Sequence, residues 1–313
     1  MSSIAVLFPG QGAQHVGMCR DIFERSAAGR AVFEKADDAL GFALSEMIFA
    51  GGEDDLTRTD IAQPAILTAS IAVAEAAREA GWQPHAGAAA GLSLGEYSAL
   101  VFAGAIPFEE AVLLVRKRGE FMREAGRRNP GGMLGVIGLA DDIVAQIVET
   151  ARAEGALYIA NLNCPGQVVL SGEDKPLQAA AEIATQKGAL KTLFLNVEGA
   201  FHSPLMEPAA ARLAAELDSA PFVEAHTGVV ANRTASIVTR PDQIRRRLFE
   251  QLTSPVLWDK SIRRLLADGV GTFVELGPGR TLAGMVKRID RKVKTLSVCD
   301  FDGALSLAGR PAP

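Results

Sequence analysis

Residues 85–97 read HAGAAAGLSLGEY and place a serine, Ser93, between two glycines. The small residues of 85–91 predict a short strand, and the residues after Gly95 favour a helix. Glycines two positions before and after the serine allow strand and helix to lie close together, so that the hydroxyl projects from a strained turn. The start of the helix also supplies backbone N–H groups for a developing negative charge. This context favours a nucleophilic serine over the alternative, a glycine-rich turn that merely contains one.

A serine nucleophile needs a general base, and histidine supplies it most often. The chain has four histidines, His15, His85, His202 and His226. His202 is the strongest candidate, because it lies in the sequence AFHSP, residues 200–204, between a predicted strand and a predicted helix. On this spacing alone, a histidine on the protein surface is an open alternative.

The N-terminal part of the chain alternates strands and helices. Residues 4–8 predict a buried strand, and a long Ala-rich helix follows with Asp60 as its N-cap and its end near Gly81. Pro107 is suited to the first turn of a further helix that continues to about residue 125. This alternation is typical of an α/β layer fold.

The sequence NPGG at residues 129–132 interrupts this alternation and predicts a domain boundary near residue 128. The elements that follow are a strand, a helix, two strands, a helix and a strand, at 133–139, 141–154, 156–161, 167–171, 174–187 and 190–197. This β-α-β-β-α-β order is that of the ferredoxin-like motif, a four-stranded sheet under two helices. We expect residues 128–197 to be inserted into an α/β domain formed by 1–127 and 198–313.

From about residue 198 the chain returns to the larger α/β pattern. We predict helices at 204–219, 241–253, 255–268 and 280–289, and strands at 271–276 and 293–298. The tail, 308–313, is predicted to be loose.

Composition limits the class of protein. Hydrophobic residues make up 48% and charged residues 22%, as in globular proteins, and the net charge of −5 argues against a nucleic-acid surface. The start, MSSIAVLFPG, fits a first strand better than a signal peptide, and no apolar run approaches the length of a membrane helix. The three cysteines show no metal-like spacing and fit a reducing compartment. We expect a cytoplasmic monomer without cofactor or metal; an organelle protein after transit-peptide removal would look the same.

Four short motifs, taken together, resemble the malonyl-CoA:acyl carrier protein transacylase family. They are FPGQGAQ at residues 8–14, GLSLGEY at 91–97, AFHS at 200–203 and ELGPG at 275–279. They occur in the family's order and span nearly the whole chain. The resemblance implies an α/β-hydrolase-like domain with a ferredoxin-like insertion, which agrees with the predicted order of elements.

The resemblance also implies a catalytic centre. Ser93 corresponds to the nucleophile and His202 to its base, which a backbone carbonyl near Gln251 orients. The backbone N–H groups of Gln11 and Leu94 correspond to an oxyanion hole. The implied reaction takes malonyl from malonyl-CoA to the phosphopantetheine thiol of acyl carrier protein through an ester on Ser93, for fatty acid synthesis.

Three further features concern the substrate. By pattern alone Arg118 fits a helix surface beside Arg116 and Lys117, whereas the resemblance makes it the ligand of the malonyl carboxylate, which a guanidinium binds with two parallel donors. The resemblance implies that Phe201 excludes an α-methyl branch. Gln11, Gln63 and Asn163 are the other predicted pocket residues. For Gln63 and Asn163 two positions are open, in the pocket lining or behind it as support.

Two departures from the family pattern concern residues beside the catalytic pair. Leu92 precedes the serine where histidine or phenylalanine is frequent, and Gly199-Ala200 stands where a proline is common. Neither departure changes a residue to which the resemblance assigns a catalytic role.

A basic stretch near the C-terminus is a candidate for docking the acidic carrier protein, with solvated helix surface as the alternative. Its residues are Lys287, Arg288, Arg291 and Lys292.

Three other functions stay open. A polyketide malonyl-loading acyltransferase would share the chemistry, a serine thioesterase or hydrolase would admit water in the second step, and a scaffold would carry a decayed site. The arginine and the Gln11 motif argue against the hydrolase, and the presence of Ser93, His202 and Arg118 argues against decay.

Overall fold

The computed structural model describes residues 3–84 and 86–309, which form two β-sheets and the helices that cover them. The predictions for His85 and for residues 310–313 of the tail lie outside the described residues. The strands are β1 (Ser3–Phe8), β2 (Ala86–Gly91), β3 (Gly132–Ile137), β4 (Leu157–Cys164), β5 (Gln167–Gly172), β6 (Lys191–Phe194), β7 (Val229–Ala231), β8 (Ser236–Val238), β9 (Val270–Leu276) and β10 (Lys294–Val298). The result is a mixed α/β fold.

Helices account for most of the remaining chain. They are α1 (Arg20–Arg25), α2 (Ala27–Leu40), α3 (Leu44–Ala50), α4 (Glu53–Thr57), α5 (Thr59–Ala80), α6 (Gly95–Phe102), α7 (Phe108–Arg128), α8 (Asp141–Ala151), α9 (Asp174–Gln186), α10 (Glu207–Ser219), α11 (Pro241–Gln251), α12 (Trp258–Ala267), α13 (Thr281–Ile289) and α14 (Phe301–Leu307), with 3-10 turns at Arg152–Glu154 and Pro204–Met206. Within residues 3–84 and 86–309, no helix combines the length and apolar character needed to cross a membrane.

The larger sheet has the strand order β10-β9-β1-β2-β7-β8 and is parallel except for the β7–β8 hairpin. Its two faces are covered by different helices, as the alternation along β1 requires: Val6 and Phe8 pack with the Ala-rich α5, while Ala5 and Leu7 pack with α12 and α13. Phe8 pairs with Gly91, so the loops after β1 and β2 leave the sheet side by side at its carboxyl edge. Ligand sites of open α/β sheets lie at this edge.

The smaller sheet is antiparallel, with the order β4-β5-β3-β6. Leu134 and Val136 of β3 pack under α8 and α9, whereas Met133, Gly135 and Ile137 line a cavity on the opposite face. The β-α-β-β-α-β order predicted for 128–197 is the order observed. Strand β4 is longer than predicted because it continues to Cys164.

Several local predictions were wrong. Asp60 lies inside the first turn of α5 and pairs with Arg58 and Arg116 rather than capping the helix. The predicted helix 255–268 begins only at Trp258, because Val256 forms a bridge with Asn161 of β4. Helices α1 to α4 and α14 and the β7–β8 hairpin were not predicted.

Candidate active site

Ser93 occupies a strained turn between β2 and α6, with a φ of 54°. The flanking glycines are required by close backbone contacts: a Cβ atom on Gly91 would lie 1.9 Å from the carbonyl of Gly95, and one on Gly95 would lie 2.1 Å from the carbonyl oxygen of Phe8. A serine in the left-handed region persists only where its surroundings hold it there. Strand and helix therefore fix the direction of the Ser93 hydroxyl, as the sequence predicted.

His202 contacts this hydroxyl from a second strained position, with a φ of 58°. Its Nε2 lies 2.7 Å from Oγ of Ser93, and its Nδ1 lies 2.9 Å from the backbone oxygen of Gln251. Because a carbonyl can only accept, Nδ1 carries the proton and Nε2 is free to accept one from serine. Burial, and then the positive charge of Arg118, lower the pKa of His202 to about 4. The imidazole is thus neutral at physiological pH, with Nε2 able to accept a proton.

Arg118 is buried, with 1% of its surface exposed, and is not a surface arginine. Its Nη1 donates to Oε1 of Gln63 at 2.7 Å, and its Nη2 donates to Oε1 of Gln251 at 3.0 Å and to Oγ of Ser93 at 3.2 Å. The guanidinium also lies over the ring of Tyr97, 5.4 Å from its centroid. Burial lowers the pKa of Arg118. A cation held by neutral amides beside the hydroxyl is suited to bind an anionic substrate group.

The side chain of Gln251 connects these groups. While its backbone oxygen contacts His202 and its Oε1 accepts from Arg118, its Nε2 donates to the backbone oxygen of Ser93 at 3.0 Å and to Oε2 of Glu96 at 2.8 Å. The residue is buried at the end of α11. One glutamine therefore contacts the serine, the histidine and the arginine.

Glu96 and Asn232 complete the network behind the serine. The Oδ1 of Asn232 accepts from the N–H of Ser93 at 2.6 Å, and its Nδ2 donates to the oxygen of Gly91 at 2.7 Å. The backbone N–H of Asn232 donates in turn to Oε2 of Glu96 at 3.0 Å. Burial raises the pKa of Glu96 to about 7, although the hydrogen bonds from Asn232 and Gln251 oppose the shift.

A cavity of about 290 Å³ opens in front of the serine, between the two sheets. Its wall is mainly apolar, and its polar members are Gln11, Ser93, Arg118, Asn161, Asn163, Gln167, Thr281 and His202. Phe201 and Leu94 also line it. Gln63 does not reach the cavity wall and supports Arg118 from behind, whereas Asn163 lines the cavity, and its Oδ1 has no hydrogen-bond partner in the described part of the chain.

The ELGPG motif shapes one wall of this cavity. The buried carboxylate of Glu275 accepts from the backbone N–H of Leu282 at 3.1 Å and from that of Ala283 at 2.8 Å, and so caps the start of α13. Leu282 and Met285 of this helix line the cavity. The motif thus has a structural role at the site.

The basic stretch follows on the exposed end of α13. Lys287 donates to the backbone oxygen of Arg291 at 3.3 Å, and Arg288 donates to that of Pro165 at 3.0 Å. Arg291 and Lys292 are exposed, and their side chains make no hydrogen bond or ion pair with the residues that the structure describes. All four residues are therefore exposed, and they differ in that two donate hydrogen bonds to backbone oxygens and two do not.

Comparison with known proteins identifies the family. Residues 6–306 match the family model described as acyl transferase domain. The malonyl CoA-acyl carrier protein transacylase of Bacillus subtilis (strain 168) is 46% identical over 301 residues, 96% of this chain and 94% of the relative. This chain belongs to the malonyl CoA-acyl carrier protein transacylase family. The relative from Escherichia coli (strain K12) is 41% identical and covers 92% of this chain and 93% of its own length.

Solved structures of this transacylase family have the same fold. The malonyl CoA-acyl carrier protein transacylase from Coxiella burnetii has a TM-score of 0.95 at 36% identity, covering 99% of this chain and 98% of the other. A chain from the structure of a type II PKS acyl-carrier protein in complex with its malonyl-transacylase also matches. Its TM-score is 0.95 at 36% identity, covering 98% of this chain and 99% of the other.

The residues predicted from the transacylase motifs come together around one cavity, with Gln63 and Gln251 behind its wall. Glu96 and Asn232 were missed. Glu96 stands in the GLSLGEY motif, but an acidic residue in the first turn of a helix has an ordinary explanation in the helix dipole. Asn232 follows β7, far from Ser93 in the chain, and carries no local sequence signal.

Proposed function

We propose that this chain transfers malonyl from malonyl-CoA to the phosphopantetheine thiol of acyl carrier protein, in a ping-pong reaction that supplies fatty acid synthesis. The observation that carries the proposal is the arrangement around Oγ of Ser93, with the His202 base at 2.7 Å and the buried Arg118 cation at 3.2 Å. The proposed base and the cation proposed to bind the carboxylate thus both contact the hydroxyl oxygen of the proposed nucleophile. The names of the relatives support the same donor and acceptor.

In the first half-reaction, Oγ of Ser93 attacks the thioester carbonyl while Nε2 of His202 takes the hydroxyl proton. The C–S bond then breaks, and the imidazolium returns the proton to the sulfur of coenzyme A. In the second half-reaction the carrier thiol gives its proton to His202 and attacks the malonyl ester; the ester C–O bond breaks, and His202 returns the proton to Oγ of Ser93. Because the donor and the acceptor carry the same pantetheine arm, one cavity serves both.

The backbone N–H groups of Gln11 and Leu94 are the proposed donors to the oxyanion of each tetrahedral intermediate. Both residues line the cavity beside Ser93, one after β1 and the other at the start of α6. Within residues 3–84 and 86–309 neither N–H has a backbone acceptor outside regular helices and strands. Such prepositioned donors stabilise charge that develops in the transition state.

Substrate choice is assigned to two residues. Arg118 binds the malonyl carboxylate, which its position beside Oγ of Ser93 supports. Phe201, buried and on the cavity wall, limits the space for an α-methyl branch, so that malonyl is preferred over methylmalonyl by a few kcal/mol at most.

For the architecture, we propose an α/β-hydrolase-like domain of residues 1–127 and 198–313 with a ferredoxin-like insertion of residues 128–197. The separate core of the smaller sheet under α8 and α9 supports this division. Because one chain supplies every residue of the site, a monomer suffices. The free thiols of Cys19, Cys164 and Cys299 fit the cytoplasm. Lys287, Arg288, Arg291 and Lys292 are the proposed docking surface for the acidic carrier.

A second candidate is the loading of malonyl onto a polyketide carrier, which the similarity to the PKS carrier complex favours. The two functions share every step and differ only in the carrier. Comparing kcat/KM for a fatty-acid carrier protein and a type II PKS carrier protein would distinguish them.

The test of the chemistry is incubation with malonyl-CoA in the absence of carrier, followed by intact-mass measurement and peptide mapping. We expect a malonyl ester on the Ser93 peptide that is absent from Ser93→Ala and disappears when carrier protein is added. Release of coenzyme A without an ester would instead indicate a hydrolase, and no reaction would reject malonyl-CoA as the donor.

A further inference from the structure

The backbone of Ser93 is held on both sides by side-chain amides. Its N–H donates to Oδ1 of Asn232 at 2.6 Å, and its carbonyl accepts from Nε2 of Gln251 at 3.0 Å, besides the N–H of Glu96 at 3.1 Å. Asn232 also donates to the oxygen of Gly91 at 2.7 Å, so that one amide spans the turn from Gly91 to Ser93. The side-chain amide of Asn232 thus satisfies backbone groups of the turn just beyond the end of β2, as a neighbouring strand would do within a sheet.

A single carboxylate oxygen contacts both residues, the backbone of Asn232 and the side-chain amide of Gln251. Oε2 of Glu96 accepts from the backbone N–H of Asn232 at 3.0 Å and from Nε2 of Gln251 at 2.8 Å. Asn232 and Glu96 are 1% and 2% exposed, and neither belongs to the cavity lining formed by the described residues. Their contacts are therefore with the residues that present the nucleophile.

We propose that Asn232 and Glu96 are positioning residues that hold Ser93 in its left-handed conformation and so keep Oγ within reach of His202. The inference rests on the proposed function for its substrate, but its physical content is the reactivity of Ser93 itself. Asn232 acts directly on the turn, whereas Glu96 acts by orienting Asn232 and Gln251. Loss of either releases a backbone conformation that a serine rarely adopts.

The structure predicts which kinetic parameter changes. Because neither residue lines the cavity, substitution slows the attack by Ser93 and leaves binding of malonyl-CoA nearly unchanged. A misplacement of about 1 Å costs on the order of 10²-fold in rate. We therefore expect Asn232→Ala to lower kcat by about 10²-fold and to change KM for malonyl-CoA by less than about threefold.

The experiment compares two reactions of Ser93: formation of the malonyl ester from malonyl-CoA, and modification by a neutral alkyl fluorophosphonate. The second needs the nucleophile and its base but no carboxylate ligand. We expect Asn232→Ala to slow both reactions by a similar factor, at matched folded fraction measured by circular dichroism. Thr185→Ala is the control, because it also removes a side-chain hydrogen bond to a backbone oxygen, that of Ala181, on α9, which covers the face of the smaller sheet opposite the cavity.

Glu96 provides a second test that does not depend on the folding of the Asn232 variant. Glu96→Ala should reproduce the loss of fluorophosphonate reactivity. Glu96→Gln, whose carbonyl oxygen can accept both hydrogen bonds, should restore the rate to within about fivefold of the wild type. A Glu96→Gln protein as slow as Glu96→Ala would contradict positioning through these hydrogen bonds.

Two further results would overturn the inference: unchanged rates in Asn232→Ala, or loss of malonyl transfer with full fluorophosphonate reactivity. Failure of the proposed function is distinguishable from both. In that case wild-type protein would react with the fluorophosphonate at Ser93 but not with malonyl-CoA, and the role of Asn232 would still be measured with the fluorophosphonate alone.

Discussion

The guanidinium Nη2 of Arg118 lies 3.2 Å from the hydroxyl oxygen of Ser93. The proposed nucleophilic atom and the cation proposed to bind the substrate carboxylate are therefore direct neighbours. An acyl group joined to Oγ must turn its carboxylate back towards the guanidinium over a very short distance. This geometry suits a malonyl group, in which a single methylene separates the two carbonyl carbons.

Replacing Arg118 should change substrate selectivity more than overall reactivity. We expect Arg118→Ala to lose malonyl transfer by about 10²-fold or more while acetyl transfer from acetyl-CoA survives, because only malonyl leaves a buried charge without a partner. Arg118→Lys should recover little, since an ammonium lacks the two parallel donors. The measurement is kcat/KM for both acyl-CoA donors, and equal losses for both would exclude a role in selectivity.

The rate at which Ser93 reacts should begin to fall on acidification only at a pH well below the usual pKa of histidine. His202 must be neutral to accept the proton, and burial, followed by the charge of Arg118, lowers its pKa to about 4. The rate of modification by a neutral fluorophosphonate should therefore stay constant down to about pH 5 and fall below it. In Arg118→Ala the fall should begin at a higher pH, because the positive charge is gone while burial persists. A fall in the wild-type rate near pH 6.5 would contradict this account.

Glu96 should make the stability of the fold depend on pH. Burial raises its pKa from 4.5 to about 7, so the folded state holds this proton more tightly than the unfolded state. Its contribution to stability is then fully present below pH 4.5 and lost as the pH rises through about 7. Glu96→Gln has no such loss.

Urea denaturation of Glu96→Gln and wild type at several pH values between 4.5 and 8 measures this effect. The free energy of unfolding of the variant, relative to wild type, should rise with pH by at most about 3 kcal/mol, since one pKa unit corresponds to about 1.4 kcal/mol. A difference that is constant or falls with pH would show that the hydrogen bonds from Asn232 and Gln251 outweigh burial.

The serine turn was predictable because its physical requirements are local. Gly91 and Gly95 stand at positions where a Cβ atom would clash with neighbouring backbone. The chain turns from strand to helix between them, at Ser93. His202 was a candidate because it lies between a predicted strand and a predicted helix, with a surface position as the alternative, and the structure places its Nε2 2.7 Å from Oγ of Ser93. Both strained residues lie in short motifs, which is where local sequence carries the most information.

Asn232 could not be predicted, because its role depends on strand order. The strand before it, β7, has three residues, and only its pairing with β2 places Asn232 beside Ser93. The wrong capping role of Asp60 has a similar cause, since two of the three basic residues that pair with it, Arg116 and Arg123, come from α7, and only Arg58 is local. In both cases residues distant in the chain determine the role of the side chain, and the local sequence does not show them.

Carrier docking should depend on Arg291 and Lys292 rather than on the whole basic stretch. Reversing Lys287 or Arg288 would also remove contacts to backbone oxygens, whereas the side chains of the equally exposed Arg291 and Lys292 make no such contact with the described residues. We expect the double variant Arg291→Glu, Lys292→Glu to raise KM for acyl carrier protein by about three- to tenfold at low salt, with KM for malonyl-CoA unchanged. The effect should shrink at high salt, because exposed charges are screened.

The matched control is Lys175→Glu, Lys187→Glu, which reverses the same number of charges. Lys175 lies on α9 and Lys187 at its end, and this helix covers the face of the smaller sheet opposite the cavity. Steady-state kinetics with carrier protein as the varied substrate should leave this control at the wild-type KM. If both double variants raise KM equally, the carrier responds to net charge alone; if neither does, it docks on another surface.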